Sequence, residues 1–273
     1  MVTFVLGGLT GVLLALPPVD WQVHNSVFLI AHFHHVIIPG VIFGAFAGYV
    51  YWFPKAFGFK LDERWGRRAF WCWFIGFHVA FMPLYWVGLM GMTRRLQHYD
   101  VLSWQPWLIV AAAGVAIIFG GVVCQIVQFV VSIRDREELR DVTGDPWNGR
   151  TLEWSTASPP PAWNYALLPH VTGLDAFWIE KKFASVRQGQ SRQPREYEPV
   201  EAPKNSAVGF VNAFFAVVIG FALIWHIWWM AVLGLFGAFV TFLVFAFRDE
   251  EEFEIPAATI AQFDRAHQTG AIP

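Results

Sequence analysis

The chain carries apolar windows too long for any soluble domain to cover. Five of them run approximately from Ser26 to Phe53, Ala69 to Met90, Trp107 to Ile133, Ser206 to Trp225 and Trp228 to Phe247. About 20 residues of α-helix cross roughly 30 Å of hydrocarbon, and a helix satisfies its own backbone polar groups there. The expected fold is therefore all-α, a polytopic transmembrane helix bundle. A shorter window, Met1 to Leu16, reaches only about 24 Å and reads as a span lacking its first turns. A signal peptide is the rival reading, but no Lys or Arg precedes the apolar run, and Pro17-Pro18 stands where a small-residue cleavage site belongs. About six spans follow, and membrane lipid is the first expected partner.

Only 15% of the 273 residues are charged, and these cluster between the windows. That excludes disordered, collagen-like and disulfide-rich secreted classes. The net charge of -2 is the sum of local clusters, and no Lys/Arg-rich tract suggests nucleic acid. The two cysteines, Cys72 and Cys124, both lie in apolar windows, so neither a disulfide framework nor a cysteine metal site is expected. Lys55, Lys60, Arg64, Arg67 and Arg68 place the loop after the Ser26–Phe53 window in the cytoplasm. Alternation then puts 134–205 and the acidic tail 248–273 on the same side. The organisation read from this is 1–133 as membrane helices, a loop over 134–205, a hairpin over 206–247 and a tail. Trp225-His226-Ile227-Trp228-Trp229 suits a tight turn in an interfacial aromatic belt. Gly144-Asp145-Pro146-Trp147 and Ser158-Pro159-Pro160-Pro161 predict an ordered loop rather than a second enzymatic domain, and no nucleotide-binding glycine pattern or internal repeat is present.

The chemistry sits at the start of the second window, His24-Asn25-Ser26-Val27-Phe28-Leu29-Ile30-Ala31-His32-Phe33-His34-His35. A lone membrane histidine is most often a packing residue. Three within four positions point to a functional cavity. Residues two apart on a helix differ in direction by about 200°, so His32 and His34 cannot share one metal ion. They can serve two separate centres, and haem iron is an apolar, membrane-compatible choice. Cytochrome b-type bis-histidine sites, with ligands on facing helices, do not match this close pair.

Ala31-His32-Phe33-His34, preceded by His24-Asn25-Ser26 and followed by Met92-Thr93-Arg94-Arg95, resembles subunit I of the haem-copper terminal oxidases, most of all the bo-type ubiquinol oxidases. Tyr51-Trp52-Phe53-Pro54-Lys55, Gly144-Asp145-Pro146-Trp147, Thr151-Leu152-Glu153-Trp154 and Ser158-Pro159-Pro160-Pro161 extend the likeness over nearly the whole chain. The resemblance implies that His32 is the proximal ligand of a high-spin haem (o or a type) at the oxygen-reducing centre. His34 becomes an axial ligand of low-spin haem b, with Phe33 between them. It also implies that Arg94 and Arg95, against positive-inside statistics in an outer loop, hold haem propionates near Asp20 and His24. His35 and Pro39 depart from the family's usual residues, and His35 is expected to make a buried hydrogen bond.

The family's copper ligands, the second low-spin axial ligand and the quinol site have no counterpart here. The resemblance therefore implies the C-terminal part of a longer subunit, inactive alone, with the upstream part and oxidase subunits II, III and IV as partners. Its reaction would be dioxygen reduction to water by ubiquinol with outward proton translocation in the bacterial cytoplasmic membrane. Cytochrome c oxidases of the family carry Asp after the histidine where Asn25 stands; Asn is a weaker ligand for hard cations. Asn25 and the helix pair after Ser206 favour quinol over cytochrome c as donor. A nitric oxide reductase relative and a non-catalytic scaffold are the remaining alternatives. His78 and His226 are expected to be structural, His98 interfacial, and His170 and His267 solvated. Met82-Pro83 is expected to kink its helix.

Overall fold

A computed structural model of the chain describes residues 1–169, 171, 173–187, 196–248 and 252–268. They form two compact units, Met1–Pro160 and Pro161–Pro273. In the first unit, α1 (Val2–Leu14) is followed by α2 (Pro17–Val23), α3 (Val27–Ile37), a π-turn (Ile38–Ile42), α4 (Phe43–Phe57), α5 (Glu63–Leu89) and α6 (Gln105–Arg134). The second unit holds α7 (Ala176–Arg187), β1 (Val200–Pro203), α8 (Val208–Ile224), α9 (Trp228–Ala246), β2 (Glu252–Ile255) and α10 (Ala257–Gln268).

Four segments among the described residues are long and apolar enough to cross a membrane: Val27–Phe57, Glu63–Leu89, Leu102–Arg134 and Trp228–Ala246. A fifth is obtained if α1 and α2, bent by 103°, count as one broken span. By length and apolarity the described residues thus give four or five spans where about six were expected, with α8 (Val208–Ile224) a shorter apolar helix beside them. Pro17 and Pro18 supply no N–H to continue α1, so α2 sets off in a new direction. The Ser206–Trp225 window forms only the 17 helical residues of α8 before the chain turns through His226, whose φ is 56°. Around Met82-Pro83, α5 continues as one helix to Leu89.

Small residues let the helices of the first unit approach closely. A Cβ on Gly114 of α6 would lie 2.2 Å from the Ala80 nitrogen of α5, and one on Gly76 would lie 2.8 Å from the Ile118 nitrogen. Small residues at such seams are how apolar helices associate where lipid is as apolar as the side chains. Polar side chains complete the α5–α6 seam. Trp73 Nε1 donates to Gln125 Oε1 at 2.7 Å, and Gln125 Nε2 donates to the Tyr49 hydroxyl at 3.0 Å. Asp62 caps α5 by accepting from the Trp65 N–H, while its own N–H donates to Ser132 Oγ at 2.8 Å.

The segment 139–160 wraps the end of α4. Lys60 N donates to Leu139 O and Asp141 N to Gly58 O, with Gly58 in the left-handed conformation that ends the helix. Lys55 is buried and donates to Thr156 O at 2.6 Å, Thr156 Oγ1 at 3.2 Å and Ala157 O at 3.2 Å. Trp154 Nε1 donates to the Tyr51 hydroxyl at 2.8 Å. The motif residues Tyr51, Lys55 and Trp154 are thus partners across about a hundred residues of chain.

In the second unit α8 and α9 pack together, with Gly237 receiving the Phe215 ring and Gly234 the Ile219 side chain. β1 pairs antiparallel with β2, from Val200↔Ile255 to Pro203↔Glu252. Ala202, Ile255 and Ile260 make a small core there, with Trp163 and Tyr197 against it. The Tyr197 hydroxyl donates to Asp264 at 2.7 Å, and holding that proton against a carboxylate raises the phenol above its usual pKa. β1 lies in the segment expected as a loop, and β2 and α10 in the segment expected as a tail. His170 and the side chain of His267 lie outside the described residues.

Candidate functional site

The site is built on α3. Ser26 caps this helix, its side chain accepting from the Phe28 N–H at 3.1 Å, and Ser26 also bridges to Thr93 in the segment after α5. Val27 N donates to Met92 O and Arg94 N to Asn25 O, at 3.0 and 2.9 Å. These bonds bring the predicted residues His24, Arg94 and Arg95 to one end of the bundle. His24 Nδ1 lies 3.1 Å from both carboxylate oxygens of Asp20. Arg94 is half-buried and Arg95 exposed, and among the described residues neither has a carboxylate partner. Arg95 adopts φ 69°, a left-handed conformation that costs about 1–2 kcal/mol for a residue with a Cβ.

Along α3 the three histidines part company. His32 turns toward α1, where its ring packs on Gly11: a Cβ there would come 3.0 Å from His32 Cε1. Its Nδ1 lies 3.0 Å from Thr10 Oγ1, which also meets the Tyr85 hydroxyl of α5 at 3.1 Å. His34 turns toward α5 and stacks on Phe81, ring centroids 4.5 Å apart, with its Nδ1 2.7 Å from Ile30 O. Phe33 lies against His34 at 4.5 Å. His35 is fully buried, its Nδ1 2.8 Å from Ala31 O. It packs among Phe77, Tyr85 and His78 at centroid distances of 4.8, 5.2 and 6.1 Å. The expected buried hydrogen bond of His35 is present, while its Nε2 has no partner among the described residues.

Carbonyl oxygens are acceptors only, so Nδ1 of His34 and His35 carries the proton and Nε2 is the bare nitrogen. Metal-ligating histidines are held in this way, with the second ring nitrogen donating to a carbonyl or other acceptor. For His32 and His34 no protein group meets Nε2 among the described residues, so this donor set fits an iron ligand on each flank. No cluster of three or more metal-binding side chains occurs among the described residues.

Immediately beyond, Pro39 has no N–H for the carbonyl of His35, four residues back, and the chain widens into the π-turn, closed by Phe43 N donating to Ile38 O. Gly7 of α1 packs on that His35 carbonyl, where a Cβ would stand 2.9 Å from the oxygen. Sequence reasoning missed Thr10, Tyr85, Gly11 and Phe81. Thr3, Gly7, Thr10 and Gly11 form a small and polar stripe at helical spacing, a signal by which the inner face of α1 could have been found. His78 donates through Nδ1 to Phe74 O at 2.8 Å and lines an apolar groove of about 300 Å³ with Met82, Trp86 and Trp107. His98 pairs with Asp100 at 3.2 Å and is exposed, and His226 sits in the hairpin turn beside Trp228.

Long apolar helices packed around the histidine-bearing α3 define a multi-pass membrane protein. The family model described as cytochrome c and quinol oxidase polypeptide I matches residues 1–117. A probable cytochrome c oxidase subunit 1 of Bradyrhizobium diazoefficiens is 63% identical over 97% of this chain and 40% of its own length. The ubiquinol oxidase subunit 1 of Acetobacter aceti is 51% identical over 98% of the chain, and the cytochrome bo(3) ubiquinol oxidase subunit 1 of Buchnera aphidicola subsp. Schizaphis graminum 47% over 98%, each over 40% of the relative. The chain belongs to the haem-copper terminal oxidase subunit I family, and it spans about 40% of the length of these relatives.

Proposed function

We propose that this chain supplies the haem-ligating helix of a proton-translocating respiratory oxidase that reduces dioxygen to water with electrons from ubiquinol. The observation that carries the reading is the pair of imidazoles on α3, two residues apart, each with Nδ1 engaged by the protein and Nε2 bare on its own flank. His32 would hold the iron of the high-spin haem and His34 one axial position of low-spin haem b. When bound, the haems and copper supply electron transfer and oxygen chemistry. The chain's own residues orient and insulate. Thr10 and Ile30 O fix the imidazole tautomers, Phe33 and Phe81 exclude water around His34, and Arg94 and Arg95 offer guanidinium forks to haem propionates. Asp20 pairs with His24 at the same end of the bundle.

The residues holding copper and the second axial ligand of the low-spin haem come from the rest of subunit I, and subunits II, III and IV are the expected partners. Basic residues from Lys55 to Arg68 orient that end of the bundle toward the bacterial cytoplasm. Ubiquinol as donor is supported by the neutral Asn25 beside His24, a weak ligand for a hard cation. Cytochrome c is the second reading, favoured by the 63% identity to a relative named as a probable cytochrome c oxidase subunit. Two assays on the assembled complex test both levels. His34→Leu is expected to abolish the low-spin haem absorption band while the complex still assembles; a persisting band overturns the ligation. Oxygen uptake driven by ubiquinol but not by ferrocytochrome c is expected, and the reverse preference transfers the proposal to cytochrome c.

A further inference from the structure

We propose that Thr10 and Tyr85 form a two-step tuning relay for His32, in which one shared hydroxyl oxygen sets how strongly the imidazole binds iron. The inference rests on His32 being an axial iron ligand, as argued above. Thr10 Oγ1 has four neighbours: Gly7 O at 2.9 Å, Leu6 O at 3.2 Å, His32 Nδ1 at 3.0 Å and the Tyr85 hydroxyl at 3.1 Å. A threonine hydroxyl has one proton and two lone pairs. The two carbonyls can only accept, and we assign the proton to the nearer one, Gly7 O at 2.9 Å. Under that assignment both remaining neighbours donate. His32 carries its proton on Nδ1, its Nε2 is bare, and the Tyr85 O–H occupies the second lone pair of the same oxygen.

That sharing has an electronic consequence. Donation to the Gly7 carbonyl polarises the Thr10 hydroxyl and makes its oxygen a better acceptor, since hydrogen bonds in a chain strengthen one another. Tyr85 works in the opposite direction, drawing on the lone-pair density that would otherwise serve His32 Nδ1–H. A stronger Nδ1–H···O bond gives the ring imidazolate character, raises its basicity as a ligand and favours the ferric state. Thr10 thus strengthens the iron–histidine bond and Tyr85 restrains it. Neither touches the metal. Both are positioning residues, and Tyr85 is itself fixed by Phe28, edge-on at 4.9 Å, and by His35 at 5.2 Å. His34 has only a helix carbonyl on its Nδ1, so the relay acts on one haem of the two.

The test uses the assembled oxidase and reads the iron–histidine stretching band of the reduced high-spin haem by resonance Raman, together with its reduction potential. Thr10→Val is expected to lower the band frequency and raise the potential, because His32 Nδ1–H loses its acceptor. Tyr85→Phe is expected to shift both quantities in the opposite senses. Thr10→Ser should restore the wild-type values, and the low-spin band should not move in any variant. Tyr85→Phe removes one oxygen and keeps the ring contacts, so it assembles even where Thr10→Val does not. Shifts of the same sign in Thr10→Val and Tyr85→Phe, or no shift in Tyr85→Phe, overturn the relay. Absence of any iron–histidine band in the wild-type complex, or its persistence in His32→Ala, overturns the ligation itself and is thereby distinguished.

Discussion

His32 and His34 are chemically identical side chains about 3 Å apart along one helix axis, yet the protein holds them by different means. His34 is secured mainly by its own helix, which supplies the carbonyl of Ile30 and the ring of Phe33, with Phe81 of α5 stacked on its face. His32 is secured by tertiary structure. Its hydrogen-bond partner comes from α1, that partner's second contact comes from α5, and its packing surface is the bare backbone of Gly11. The locally held ring is placed once α3 forms. The other is placed only when α1, α3 and α5 are in register, so its environment can be tuned from a distance and is easier to spoil.

The largest expected effect removes the contrast by disrupting the frame under both rings. A Cβ on Gly88 of α5 would stand 2.3 Å from the Phe28 nitrogen of α3. Backbone cannot yield as a side-chain tip can, so Gly88→Ala is expected to cost about 3 kcal/mol and to lower the content of both haems in the purified complex. Equal haem content and thermal midpoint would show that α3 and α5 separate without consequence. A selective pair of changes sharpens the comparison. Gly11→Ala crowds His32 Cε1 and should broaden or shift only the high-spin spectrum, whereas Phe81→Leu removes an aromatic contact of about 1 kcal/mol and should disturb only the low-spin one. Cross-effects of equal size would merge the two environments into one. The smallest effect at the haems lies farthest away. Lys55→Met leaves the Thr156 and Ala157 carbonyls without their donor and should loosen 139–160 by about 1–3 kcal/mol, read as faster limited proteolysis there with both haem spectra intact.

The sequence made the membrane class and the histidine directions legible because both depend on periodicity and helix angle alone. The neighbourhood of Arg94 and His24 was implied by the family resemblance, and the backbone bond from Arg94 N to Asn25 O brings the two together. What stayed hidden depends on partners distant in sequence. Thr10 and Tyr85 look like ordinary occupants of apolar helices until α1 and α5 are both packed against α3. The π-turn at Pro39 was missed for a related reason: a proline in an apolar run predicts a break, while the widened turn that keeps the rod continuous depends on what surrounds it. The count of spans differs where length alone decides, at the bend before Pro17 and at α8, 17 residues long.

Carrying both donor nitrogens on one short stretch of α3 has a mechanical result. Neighbouring helices can flex, while the offset between two metals so ligated would stay set by peptide bond lengths and the helical pitch. Under the proposed ligation, the gap an electron must cross is buffered against thermal motion of the surrounding bundle. A design with one ligand on each of two helices would let that gap fluctuate with every change in their packing.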